Sequence, residues 1–284
     1  MPDALQALID VARLTCRFGR EVYASHLDWT LPLDPTVSTW VVTLERPVVL
    51  QRAGCSWLLY PGCAALLRGG HDATIGTSIT RNDPPVDLDP DWPGVTGVLV
   101  GTATFGPLAD EALALPDHLE TQPPGAAVPS VVEAMRQVPA LPQRWGQEQA
   151  DALARLVVVT LLRHNPPPVL AADNSLGAVL DVLFDPSGRT VRVDDLLAVT
   201  RMSERTMRRR FLAATGASSV PLGRWYRSLR IRAALRDGAD PAAVATENGY
   251  GSVAAMRRAL ANVRPPSGHL YLSAGSSVHP AVHT

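Results

Sequence analysis

Between Ser203 and Phe211 the chain reads SERTMRRRF, and its arginines Arg205, Arg208, Arg209 and Arg210 are the residues whose type and spacing point most directly to chemistry. A guanidinium is a planar fork of N–H donors that matches guanine O6 and N7 in the major groove and also pairs with phosphate. Ser203 is a good helix N-cap, and Glu204 suits the positive end of a helix that begins there. At about 100° per residue from Arg205, the apolar Met207, Phe211 and Ala214 fall within about 180–240°, whereas Arg209 lies at about 40°. The core stripe and the Arg205/Arg209 stripe are therefore opposed, with Arg208 and Arg210 on the flanks. Arg205 and Arg209 are expected to meet bases and Arg208 and Arg210 the backbone, with Ser203 or Thr206 adding phosphate hydrogen bonds.

A helix of this kind reads DNA when a preceding helix sets it in the groove. VDDLLAVT, residues 193–200, supplies that helix, followed by a tight turn at Arg201 and Met202. A second unit follows in PAAVATENGYGSVAAMRRALANV. From Ser252, its Met256, Leu260 and Val263 fall within about 20–80°, opposite Ala254, Arg258 and Ala261, with Arg257 at about 140°. Ser252, Ala254, Arg257 and Arg258 are the candidate contacts of this unit, and alanine methyls there can meet thymine methyls.

Charge placement agrees. The 284 residues hold 26 Arg, no Lys and 27 Asp plus Glu, but from Asn174 onward there are 15 Arg against 8 acids. A basic C-terminal part and an acidic N-terminal part suggest that only the former meets a polyanion.

Residues from about 174 to 272 resemble the DNA-binding domain of the AraC/XylS family of bacterial transcription regulators. The resemblance is carried by MSERTMRRRFLAATG (Met202 to Gly216), GRWYRSLRIRAAL (Gly223 to Leu235) and AVATENGYGS (Ala243 to Ser252). It implies a central helix joining two helix-turn-helix units that enter successive major grooves, with double-stranded DNA and RNA polymerase as partners. This chain departs from the family in having Arg201 where a turn glycine is common, and Met256 and Leu260 at usually aromatic positions.

Upstream, short apolar runs such as WVVTL, PVVL, SWLLY and AALL recur about every ten residues between Val22 and Phe105, which predicts the short strands of a sandwich or small barrel. YPGCAALLRGGHDATI, Tyr60 to Ile75, resembles the cupin-like sensor domain found before this DNA-binding domain in one branch of the family. The expected fold is a multi-domain α+β chain. It comprises a cupin-like effector or dimerisation domain at 1–120, a helical connector and linker at 121–173, the all-α DNA-binding domain at 174–272, and a disordered tail at 273–284. A helix is predicted over Gln143 to His164, where Leu153, Leu156, Val157, Thr160, Leu161 and His164 recur at three- and four-residue spacing. That stripe packs on its own domain or forms the seam of a homodimer.

The same region constrains other chemistry. His71 has no near partner in sequence, His26 and His118 being distant, so a catalytic cupin metal set is not expected and no cofactor is assigned. Trp29, Trp40, Trp57 and Trp92 line an effector cavity or fill the core. Cys16, Cys55 and Cys63 show no zinc or disulfide spacing and read as small buried residues. Without lysine there is no phosphate loop of Walker type. No apolar run is long enough for a membrane span, and a cytoplasmic location is expected. Two rivals stay open: a cupin-type metal-dependent enzyme, and an interaction protein of the same ancestry that no longer binds DNA. The effector is not identified by sequence.

Overall fold

The computed structural model describes residues 3–24, 30–52, 55–77, 96–121, 130–131, 133–134, 143–171, 176–185 and 191–265. The chain forms two compact units that interleave along the sequence. A β-unit comprises 14–105 and 117–165, and a helical unit comprises 1–13, 106–116 and 166–284.

The β-unit contains β1 (Thr15–Ala24), β2 (Thr30–Leu33), β3 (Ser38–Thr43), β4 (Val48–Arg52), β5 (Cys55–Leu59), β6 (Ala64–Leu67), β7 (Ala73–Gly76), β8 (Thr96–Thr104) and β9 (His118–Glu120). They form two antiparallel sheets, one in the order β1-β8-β3-β6-β9 and the other β2-β7-β4-β5. Val41, Ala65, Leu67 and Val98 of the first sheet share a core with Leu33, Val48, Leu50, Leu59 and Ile75 of the second. Alternation along each strand thus aims one side chain in two at the space between the sheets. The predicted helix over Gln143–His164 forms in this unit. Its Ala150, Ala154, Val157, Val158, Leu161 and Leu162 are buried, and it packs on β1, β6 and β9. The buried stripe is therefore rotated from the expected one: Val157, Thr160 and Leu161 face inward, whereas Leu156 is 46% exposed.

The chain opens with a helix over Ala4–Val11, and β1 begins at Thr15. Within the connector and linker expected at 121–173, Pro168–Ala171 forms a short helix. Cys16 and Cys63 are buried, but Cys55 opens the edge strand β5 and is exposed. Burial pushes the Cys16 thiol up to about 12, against the opposing pull of Arg155.

The helical unit holds α1 (Ala4–Val11), α2 (Ala109–Leu113), α4 (Pro168–Ala171), α5 (Gly177–Leu183), α6 (Val193–Ala198), α7 (Glu204–Thr215), α8 (Ser219–Arg236), α9 (Pro241–Glu247) and α10 (Val253–Ala261), α3 being Gln143–His164 of the β-unit. Its centre is α8, whose Leu222, Trp225, Tyr226, Leu229 and Ile231 are buried. Phe184 packs on Tyr226 with ring centroids 4.6 Å apart. A Schellman turn ends α8: Ala239 N–H donates to Ala234 O at 3.1 Å, and Gly238 takes the left-handed φ of 86° that a glycine adopts without strain. Among the described residues no helix is long and apolar enough to cross a membrane.

Candidate nucleic-acid interface

Helices α6 and α7 form the first helix-turn-helix. At the start of α6 the Asp195 carboxylate accepts the Arg192 N–H at 2.9 Å. In the turn, Thr200 Oγ1 accepts the Met202 N–H at 3.1 Å, a side-chain substitute for a backbone turn. Among described non-glycine residues only Arg13 and Ala114 have positive φ, so Arg201 sits in ordinary backbone and this turn needs no glycine there.

Ser203 caps α7. Its Oγ accepts the Thr206 N–H at 3.3 Å and shares a 3.0 Å hydrogen bond with Thr206 Oγ1. If Thr206 donates in that pair, the Ser203 hydroxyl keeps its own hydrogen to offer a phosphate. Replacing Ser203 by alanine should cost about 1 kcal/mol of stability, read as a lower denaturation midpoint of the full chain.

Along α7, Met207 and Phe211 are buried, while Arg205, Arg208, Arg209 and Arg210 are exposed. Sequence reasoning passed over Leu212. It is 57% exposed and, at about 340° from Arg205, shares the arginine face. Its signal was on the same helical wheel: a large apolar residue on the wrong side for the core. Two other arginines of the unit are held in ion pairs. Arg232 of α8 forms a two-point ion pair with Glu111 of α2, Nη1 lying 2.7 Å from Oε2. Arg13 pairs with Asp237. Arg224, Arg227 and Arg230 edge a cavity of about 290 Å³ whose walls include Leu183, Leu196 and Tyr226. Burial pushes the Tyr226 hydroxyl up to about 12, partly offset by the nearby Arg230.

The second unit is complete in local structure. Asp240 caps α9 by accepting the Ala242 and Ala243 N–H groups, and Pro241 occupies the first turn, where its missing donor costs nothing. Gly249 turns the chain with φ of 75°. Ser252 caps α10 by accepting the Ala255 N–H at 3.1 Å. Met256 is fully buried in a cluster with Ile231, Val244 and Ala245, and Leu260 packs against it. Methionine is flexible enough to fill a site of aromatic size. Ser252, Ala254, Arg257 and Arg258 are exposed, so all four sequence candidates reach the surface of this unit.

In the β-unit, Trp40 is fully buried and Trp57 half-buried, while Trp29 and Trp92 lie outside the described residues. His71 is exposed, and His26 lies outside the described residues. Among the described residues no three His, Cys, Asp or Glu side chains gather as a metal site requires.

Comparison with known proteins places a helix-turn-helix domain family over residues 196–263, from α6 to just past α10. No curated protein matches the sequence. Among solved structures, ToxT from Vibrio cholerae with a bound unsaturated fatty acid is 12% identical, covering 92% of this chain and 95% of its own, with a TM-score of 0.32. A second ToxT structure, from Vibrio cholerae O395, is 11% identical over 94% of this chain and 99% of its own, with a TM-score of 0.33. With paired helices, caps and turns coinciding with the matched residues, the chain carries an AraC-type helix-turn-helix domain, the DNA-binding domain of AraC-family transcription regulators.

Proposed function

We propose that the protein is a sequence-specific transcription regulator in which α7 and α10 enter successive major grooves and the β-unit senses a small-molecule effector. The observation that carries this reading is α7 itself: four exposed arginines opposite the buried Met207 and Phe211, on the second helix of a capped helix-turn-helix. In this reading Arg205 and Arg209 meet base edges, and Leu212 beside Arg205 offers an apolar contact to a thymine methyl. Arg208 and Arg210, with the Ser203 and Thr206 hydroxyls, hold phosphates. Ser252, Ala254, Arg257 and Arg258 do the corresponding work on α10. Effector binding in the β-unit shifts how the two reading heads engage DNA and RNA polymerase. The chain then acts as a regulator, not as an enzyme.

Selection of bound sequences from a random pool, followed by titration at several salt concentrations, tests the reading. A recovered motif with two half-sites about one helical turn apart supports it, together with a steep fall of affinity with salt. Recovery of no motif would leave the interaction-protein alternative in its place. A homodimer through the exposed side of α3 belongs to the same proposal. Leu156→Arg should then shift the sedimentation of the full chain from dimer to monomer, and an unchanged profile would remove this surface from consideration.

A further inference from the structure

Arg52, the last residue of β4, is 5% exposed, and it is the only charged side chain among the described residues to be so deeply buried. Alternation along the strand sets it on the same face as Val48 and Leu50, which belong to the core shared by the two sheets. Its Nη1 donates to the backbone carbonyl of Asp117 at 2.5 Å. Its Nη2 is buried without a hydrogen-bond partner among the described residues. A guanidinium cannot shed its charge at any physiological pH, so burial leaves a cation that one carbonyl balances poorly.

The surroundings of Arg52 indicate what would balance it. Trp57 stands opposite Leu50 on β5, on the inward face and diagonal to Arg52. Its ring lies against His118 of β9, with centroids 4.4 Å apart and planes 39° from parallel. Both rings are half-buried. The residues directly opposite Arg52, Cys55 and Ala73, are small. A buried donor fork thus lies beside a pair of planar rings that reaches solvent.

We propose that Arg52, Trp57 and His118 form the effector site of the β-unit and take a small carboxylate that carries a planar ring. The carboxylate occupies Nη2 and displaces the Asp117 carbonyl from Nη1, completing the two-point pairing that the guanidinium offers. The ring of the ligand lies against Trp57 and His118. One guanidinium balances one negative charge, which favours a carboxylate over a phosphate dianion. The Asp117 carbonyl also accepts the Arg68 N–H at 3.0 Å, so it keeps a partner when the guanidinium turns to the ligand.

The assignment rests on the reading of the β-unit as an effector domain, and its test needs no DNA. Calorimetric titration of the full chain with benzoate and 2-naphthoate should show saturable binding at about 1 mM or tighter, 2-naphthoate binding the more strongly. The neutral benzamide should bind at least tenfold more weakly. Arg52→Gln should lose at least tenfold in benzoate affinity, and Arg52→Lys, which keeps the charge without the fork, should fall between. Because Arg52 also holds β9, both variants are checked for retained thermal unfolding, while the benzoate-to-benzamide ratio on the unaltered protein stands without any variant. Equal binding of benzamide, no binding of either acid at 10-fold higher concentration, or binding of phenyl phosphate in their place would overturn the proposal. If the acids bind but no DNA motif is recovered, this site stands and the regulator reading falls; the reverse outcome sinks only the site.

Discussion

Replacing Arg209 by alanine is expected to weaken binding to the selected DNA motif about 10- to 100-fold while leaving affinity for unrelated duplex almost unchanged. The range follows from the about 1–3 kcal/mol of discrimination in one bidentate contact to a base. Arg209 is exposed on the side of α7 away from Phe211, where a guanidinium reaches a base edge without disturbing the core. Arg210 lies about 100° further round the helix, which directs it to the side of the groove and a phosphate. Arg210→Ala should therefore weaken all sequences alike and lower the slope of log affinity against log salt by about one. Competition titrations at two salt concentrations separate the two outcomes. If the two variants lost affinity by the same factor for motif and unrelated DNA, the division of α7 into base and backbone arginines would be wrong. Leu212→Ala offers a smaller companion effect, confined to positions where a thymine methyl is replaced by hydrogen.

The buried and exposed faces of α7 were legible in the sequence because helical periodicity places each residue on a face, and the cap Ser203 marks where the helix begins. The same rules gave the bounds of α3. They failed where long-range packing decides. The β1 stretch TCRFGREVYA lacks a clean alternation because a bulge at Gly19 shifts the register against β8 between Phe18 and Arg20. The three-residue strand β9 has too few residues to show a period and exists through its pairing with β6. Nothing local says that segments 1–13 and 106–116 join the helical unit. They do so through contacts such as the Ala4 N–H donated to Asp181 at 2.9 Å and the Glu111 pair with Arg232. Arg52 looks in sequence like a polar residue at a strand end, and only the register of β4 turns it inward.

The largest stability effect is expected in the β-unit, from a glycine that composition alone gives no reason to single out. Gly101 of β8 stands opposite Phe18 of β1 and Trp40 of β3. The fully buried Trp40 ring lies across it, and the indole N–H donates to Arg17 O at 3.2 Å. A Cβ at position 101 would sit 2.2 Å from that same carbonyl oxygen and 2.3 Å from Trp40 Cζ2. One obstacle is backbone in a paired strand and the other a side chain without free volume, so neither yields without breaking the sheet or expelling the indole. Overpacking alone costs about 1–3 kcal/mol, and losing a buried tryptophan's contacts costs about 3–5 kcal/mol. Gly101→Val should therefore destabilise the β-unit by about 4 kcal/mol or more, a large share of the about 5–15 kcal/mol that holds an ordinary domain folded. Chemical denaturation of the full chain measures the loss. Steric conflict predicts that Trp40→Phe, by removing the outer ring, restores part of the stability in the Gly101→Ala background, so the double variant loses less than the two single losses together. Strict additivity would mean that the glycine is needed for some reason other than the indole that covers it.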